Sequence, residues 1–346
     1  MMQISPEIQL FIREHSSDDV RVLALQAKKS PDIDMPTVIT QIAGRKVAAE
    51  KIPSWWEIEK IWYPKHLSLE QCSSEITARY KARLLQGDSL TDLTGGFGID
   101  CSFLATGFKS ATYVERQEEL CEIAAHNFPV LNLNHINIKN EDGVTYLQAM
   151  SPVDCLFLDP ARRNEHGGKT VAISDCEPNV AELEELLLQK ANRVMIKLSP
   201  MLDLSLALKE LKQTQEVHIL SVNNECKELL ILLGQTSPAE ISIHCVNLFT
   251  KGTQKEQHFV FTREQEQCSE CTYTDSLETY LYEPNASLLK AGAFRSIAAA
   301  YPVRKLHPNS HLYTSDTFIE NFPGRIFRIV NQCSFNKKEV KENLAD

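Results

Sequence analysis

Residues 88–100 read DSLTDLTGGFGID. A short apolar strand pattern at 90–93 runs into three glycines, Gly95, Gly96 and Gly98, and a helical pattern begins at Ile99. Strand, glycine turn and helix make a nucleotide-cofactor device. Glycine permits positive φ and lets the backbone approach a ligand with no Cβ in the way. The helix that follows offers free N–H groups and a positive dipole end to an anionic group. A dinucleotide site asks for G-x-G-x-x-G, whose third glycine allows close packing of helix on strand. Gly96 and Gly98 start that pattern, but Cys101 fills the third slot. Asp92 stands just before the turn, where a carboxylate opposes a pyrophosphate yet can meet an amino group. The turn therefore suits a zwitterionic amino-acid ligand such as S-adenosylmethionine (SAM) better than NAD.

Downstream, strand and helix patterns alternate with short connections, which predicts a parallel α/β sheet. A helix is expected over 99–106, ended by Gly107, and a strand over 111–114 that stops at Glu115. A carboxylate at the end of the second strand is where ribose hydroxyls are gripped. A helix over 117–127 and a strand over 136–138 follow, the latter ending at Glu141-Asp142-Gly143, placed for an adenine amino group. The run VDCLFL at 153–158 is continuously apolar, as a strand buried on both faces would be. Further helices at 179–191 and 204–211, a strand at 193–198 and two strands at 217–222 and 228–233 complete a seven-stranded sheet closed by a hairpin.

The fourth strand ends in Asp159-Pro160-Ala161-Arg162-Arg163. Ligands of doubly wound sheets bind outside the carboxyl ends of the strands, so this peptide should face the glycine turn. Pro160 holds residue 159 extended, and two arginine forks can hold phosphate or carboxylate. The alternative is a loop whose arginines pair with nearby acids. In order, DLTGGFGID, YVERQ, EDG, FLDPARR and MIKLSP resemble the motifs of class I SAM-dependent methyltransferases, and more closely a bacterial group with a DPARR fourth motif and a C-terminal THUMP-like domain. The likeness extends to LSLEQCSSEITARYKARL at 67–84, YEPNASLLKAGAF at 282–294 and FPGRIF at 322–327. The resemblance implies a Rossmann-like, SAM-binding fold. Asp92, Gly95, Gly96 and Gly98 would surround the methionine end, Glu115 the ribose and Asp142 the adenine, with Asp159 and Pro160 beside the transferable methyl.

Methyl transfer from a sulfonium is an in-line displacement that needs positioning and, for some acceptors, removal of a proton. Enzymes of this class that methylate exocyclic amines carry a (N/D/S)-P-P-aromatic fourth motif, and here Ala161 and Arg162 stand in the last two places. Uracil-C5 enzymes need a nucleophilic cysteine after the fifth strand, where this chain reads Lys197-Leu198-Ser199-Pro200. What remains is direct transfer to a nucleophilic atom of an RNA base. Asp159 would orient it, and Arg162 or Arg163 would hold backbone phosphate. Lys197 is either part of the same pocket or a solvated strand-end lysine.

The 346 residues allow two or three domains. We expect an N-terminal helical domain at 1–86, the methyltransferase domain at 87–235, a β-rich connector at 236–279 with a charged, flexible stretch at 264–273, and a small α+β, ferredoxin-like or THUMP-like module at 280–346 with a helix over 285–299. The first 85 residues read as helical, with a break at Pro31–Pro36 and a second helix over 37–51. Trp55, Trp56 and Trp62 suit core packing better than base stacking. Gln71 and Ser73, just ahead of a helix that Ser74 can cap, are candidates for lid contacts over the SAM pocket. With no apolar run of membrane length and no basic-then-apolar leader, a cytoplasmic protein is expected. The ten cysteines read as reduced thiols, and the Cys268/Cys271 pair lacks a partner pair at zinc spacing, so no obligatory metal is expected.

A net charge of −10 argues against indiscriminate coating of nucleic acid. Residues 280–330 nevertheless hold six basic against three acidic residues, interleaved with Tyr301, Tyr313, His307 and His311, which suits an RNA substrate as well as it suits a solvated face. Against the methyltransferase reading stand a catalytically inactive RNA-binding or assembly module and a nicotinamide oxidoreductase, and within it a methyltransferase acting on a protein or a small molecule stays open.

Overall fold

The computed structural model describes residues 4–26, 33–162, 172–236, 238–334 and 336–343. Contacts divide the chain into two units, Met1–Gln213 with Leu232–Ser237, and Thr214–Ile231 with Pro238–Asp346.

The first unit opens with helices α1 (Pro6–Glu14), α2 (Val20–Gln26), α3 (Met35–Lys51), α4 (Pro53–Trp56), α5 (His66–Gln71) and α6 (Glu75–Ala82). Pro36 lies in the first turn of α3 rather than before it, a position where its missing N–H costs nothing, and the Asp34 side chain caps that helix. Alternation then follows: β1 (Ser89–Asp92), α7 (Ile99–Ala105), β2 (Ser110–Glu115), α8 (Glu118–Val130), β3 (Ile136–Asn140), α9 (Gly143–Ala149) and β4 (Val153–Leu158). A small antiparallel pair, β5 (Ala161–Arg162) with β6 (Cys176–Glu177), precedes α10 (Val180–Lys190), β7 (Ala191–Leu198) and α11 (Leu204–Glu210).

The strand order is β3-β2-β1-β4-β7, all parallel, and residues 232–234 follow at the β7 edge. Leu90 pairs with Ala111 on one side and Cys155 on the other, placing the β1 carboxyl end centrally between β2 and β4. Met35, Val38 and Ile42 of α3 make a small buried cluster with Leu23, but the rest of the segment at 35–82 packs on the sheet. Ala48, Ile52, Trp55, Ile61, Tyr63, Leu69 and Ala78 share one buried cluster with Phe97, Ile99, Leu120 and Ile123 of the glycine turn, α7 and α8. Trp55 is buried edge-on against Phe97, Trp62 stacks on His126, and Trp56 is exposed beside Arg45.

The second unit begins with the hairpin β8 (Thr214–Val222) and β9 (Glu225–Gly234), the last three residues of β9 belonging to the first unit. Its turn residues Asn223 and Asn224 both take positive φ, as a type I′ hairpin demands. The sheet does not stop at this hairpin. Strand β10 (Ser242–Leu248) pairs in parallel with β8, and β11 (Glu256–Thr262) pairs antiparallel with β10. The β-rich segment expected at 236–279 thus supplies two further strands of this sheet.

The charged stretch after it is structured too. A capping box between Thr262 and Gln265 starts α12 (Arg263–Cys268). Glu266 accepts the backbone N–H groups of Phe294, Arg295 and Ser296. These open α14 (Phe294–Ala300), which Gly292 at φ +75° separates from α13 (Ala286–Ala291). One helix was expected there.

A four-stranded antiparallel sheet, in the order β13 (Arg304–Lys305), β14 (Tyr313–Ser315), β12 (Tyr280–Pro284), β15 (Gly324–Arg328), completes the unit before α15 (Lys337–Asn343). Tyr313 is fully buried, and Lys305 turns its ammonium onto the carbonyls of His307 and Pro308. Arg295 and Arg328 are exposed, while Arg304 and Arg325 pair with Glu278 and Glu283. Cys101, Cys155 and Cys245 lie in the core. No helix among the described residues is long and apolar enough to cross a membrane.

Candidate active site

The carboxyl ends of β1, β2, β4 and β7 bring together the acidic residues singled out from the sequence. Asp92 ends β1 and is 1% exposed. Its Oδ1 accepts the Thr94 N–H at 3.0 Å, while its buried Oδ2 has no hydrogen-bond partner among the described residues. Burial, helped by the charges of Asp100, Asp159 and Glu115, pushes its carboxyl up to about 8 against the hydrogen bond from Thr94. An acceptor atom held in that state is stabilised by any cationic donor that reaches it.

The turn beside Asp92 uses its glycines in different ways. A Cβ on Gly95 would lie 2.2 Å from the ring of Tyr113, so this glycine is required by packing. Gly96 takes φ +53° with a would-be Cβ no closer than 3.8 Å, to the Thr94 carbonyl, and Gly98 takes φ +86° against Phe128. Both need the left-handed region that glycine enters freely. Glu115, at the end of β2, accepts the Gly96 N–H at 2.9 Å and the Gln117 N–H at 2.8 Å, tying the turn to the neighbouring strand. Cys101 is wholly buried, and burial drives its thiol well above its ordinary range.

A second cluster links the N-terminal helices to the strand ends. Lys81 of α6 has no exposed side-chain surface and lies 2.9 Å from Asp100 Oδ1. The same ammonium donates to Ser73 Oγ at 2.8 Å, and Ser73 donates to Asp100 Oδ2 at 2.6 Å. Lys197, at the end of β7, stands 3.7 Å from Asp100 Oδ2 and is hydrogen-bonded to Asp159 Oδ2. Burial works to raise Asp100, but Lys81 and Lys197 overcome it and hold the carboxyl below its ordinary range. Asp159 goes the other way. Desolvation outweighs Lys197 and raises it, although about a third of its side chain (36%) meets solvent. Its backbone N–H donates to Thr94 Oγ1 at 2.6 Å, coupling the β4 end to the glycine turn.

Sequence reasoning missed Lys81 and Asp100. Each sits in a helix pattern where a charged residue ordinarily faces water, and no local signal marks the pair. Lys197, by contrast, is not a solvated strand-end lysine. Ser73 is buried in this cluster, whereas Gln71 is exposed at the end of α5. Asp142 is an exposed N-cap whose Oδ1 accepts the N–H groups of Val144 and Thr145 at the start of α9. Pro160 is buried after β4. Arg162 ends β5, its side chain outside the described residues, and Arg163 lies outside them altogether.

A ferredoxin-like domain family matches residues 280–323. The crystal structure of a "putative methyltransferase" from Porphyromonas gingivalis W83 is 35% identical, with a TM-score of 0.85 over 97% of this chain and 84% of that one. A "putative methyltransferase" from Streptococcus mutans in complex with SAH matches at 13% identity and a TM-score of 0.33, covering 46% of this chain and 96% of that one. An rRNA methylase from Streptococcus thermophilus matches at 14% identity and a TM-score of 0.34, over 46% and 93% respectively. No curated protein matches this chain in sequence. At 35% identity over nearly its whole length, with a methyltransferase-type α/β sheet and a ferredoxin-like C-terminal domain, the chain belongs to the same family as the Porphyromonas gingivalis protein.

Proposed function

We propose that this protein is a SAM-dependent methyltransferase that methylates a base in RNA by direct in-line transfer, without a covalent cysteine intermediate. The observation that carries the cofactor assignment is the buried Oδ2 of Asp92, without a hydrogen-bond partner among the described residues, beside a turn whose Gly96 and Gly98 take positive φ. That atom fits the α-ammonium of an amino acid and would repel a pyrophosphate. Bound SAM supplies an electrophilic methyl on its sulfonium.

The chain's own residues do the rest. Asp92 Oδ2 would hold the ammonium. Glu115 would take ribose hydroxyls on the lone pairs its two backbone donors leave, since each carboxylate oxygen accepts two hydrogen bonds. Asp142, whose Oδ1 serves the α9 cap, would meet the adenine amine through Oδ2. Lys197 holds Asp159, and Pro160 follows it, so the carboxylate is aimed rather than free to rotate. Raised by desolvation, Asp159 is closer to proton exchange at neutral pH than an ordinary aspartate, as a group orienting or deprotonating an acceptor should be. Arg162 and Arg163 would hold backbone phosphate, and Arg295 and Arg328 offer exposed positive charge on the ferredoxin-like module. An RNA acceptor is supported by that basic excess and by the THUMP-like resemblance.

Calorimetric titration with SAM, its demethylated product and NAD tests the assignment. Micromolar binding of SAM and product, about −8 kcal/mol, that is lost in Asp92→Ala supports it. Preference for NAD would end it. Methyl transfer from radiolabelled SAM to RNA, protein and small-molecule fractions then decides the acceptor class.

A further inference from the structure

The second unit carries a row of histidines that the methyl-transfer chemistry does not use. Glu216 and His218 alternate along β8, so both project from one face of the sheet. His244 on β10 is the Cα partner of His218 and shares that face. On β11 the partner of His244 is Val260, and His258, two residues away, stands diagonally on the same side. The rings stack in sequence, with His218 and His244 centroids 4.3 Å apart and His244 and His258 5.3 Å apart. His218 is buried, Glu216 and His244 half-buried, and His258 exposed, so the row runs from core to solvent.

The donor geometry is that of a cation site. One ligand atom each from Glu216, His218 and His244 lies within 4.8 Å of the others. His218 Nε2 is 3.3 Å from Glu216 Oε2, and His244 Nδ1 is 3.2 Å from His258 Nε2. Nitrogen and oxygen donors about 2.0–2.1 Å from a tetrahedral ion stand roughly 3.3 Å from one another. The Glu216–His218 edge already has that length. The widest separation exceeds it by no more than about 1.5 Å, within reach of small side-chain rotations at half-buried positions. Imidazole with a single carboxylate selects a borderline ion such as zinc over magnesium or calcium.

We propose that Glu216, His218 and His244 bind a divalent transition-metal ion of the zinc class, with His258 beside His244 at the solvent side. The ion would join β8 to β10, and the exposed His258 leaves a position open to water or to a fourth ligand. The site is independent of the methyltransferase reading, because none of these residues belongs to the SAM or acceptor machinery.

The test is titration of the full chain with Zn²⁺ and, separately, Co²⁺. Cys268→Ser/Cys271→Ser, Glu216→Gln and His244→Asn are examined beside wild type. We expect one Zn²⁺ per chain, unchanged by the double serine variant and weakened at least about tenfold by Glu216→Gln and by His244→Asn. Co²⁺ should give the intense visible bands of a low-coordinate N/O site. Imidazole NMR signals of His218 and His244 should shift with Zn²⁺ in the wild type, a readout that needs no variant. Zinc binding that is lost in the serine variant, or kept in both ligand variants, overturns the proposal. So does wild-type protein that binds no Zn²⁺ and shows no imidazole shift.

Discussion

Lys81 of α6 reaches Asp100 in the first turn of α7 at 2.9 Å, and the lysine has no exposed surface at all. The pair fastens the N-terminal helices to the segment that follows the glycine turn. Removing one partner of a buried pair leaves an uncompensated charge, at a cost of about 3–5 kcal/mol. Lys197, 3.7 Å from the same carboxylate, offsets part of this. Lys81→Met should therefore lower unfolding free energy by about 3 kcal/mol, read from urea denaturation. A loss within error of zero would show that the pair does not hold the helices.

Asp92 gives a pH signature of the cofactor-free protein. Its folded carboxyl sits at about 8, far above the ~4 of an unfolded aspartate. The facing groups are Asp100, Asp159 and Glu115, with Lys197 held between Asp100 and Asp159. Between those values the folded state keeps a proton that the unfolded state has lost, so stability falls as pH rises from ~4 toward 8. Asp92→Asn should remove this loss, gaining on the order of a few kcal/mol at pH 8 and little at pH 4, while abolishing SAM binding. Melting temperatures at the two pH values decide it. A variant no more stable than wild type at pH 8 would contradict the burial argument.

Asp159 is expected to act on the acceptor and not on the cofactor. Asp159→Ala should leave SAM affinity within a few-fold of wild type and cut the rate on the true substrate by about 10²–10⁴, the usual range for a general acid–base group. Unchanged turnover in single-turnover assays would remove Asp159 from the mechanism.

The glycines of the turn should separate by cause. Gly95→Ala meets the Tyr113 ring at 2.2 Å and should cost about 1–3 kcal/mol as overpacking, part of it recovered in a Tyr113→Leu background, which removes the ring. Gly96→Ala meets only the Thr94 carbonyl, at an ordinary 3.8 Å, but keeps φ +53°, so it should cost about 1–2 kcal/mol whatever stands at 113. Denaturation of the three single and two double variants distinguishes the two.

Much of the site was legible because it is local. Asp92, Gly96 and Gly98 sit within seven residues, and Asp159 and Pro160 close a strand whose apolar run is unmistakable. Strand–helix alternation placed Glu115 at the end of β2 and Lys197 at the end of β7, with strand limits off by a residue or two. Ser73 was reached through its neighbourhood, but its partners were not. A buried lysine and a buried aspartate inside two helix patterns look in sequence like any solvated pair.

Sequence alone gave the alternation of strand and helix, the parallel sheet, the glycine turn and the carboxylates at strand ends. Each is written in patterns a few residues long, through backbone conformation and the periodic spacing of apolar side chains. Tertiary structure alone decided three further things: that α3 to α6 share the core of the sheet, that Lys81 and Lys197 converge on Asp100, and that His218, His244 and His258 line up across three strands. Those contacts join residues far apart in the chain. They exist only once strand order and register are fixed, and register is set by packing over the whole sheet rather than by any one segment.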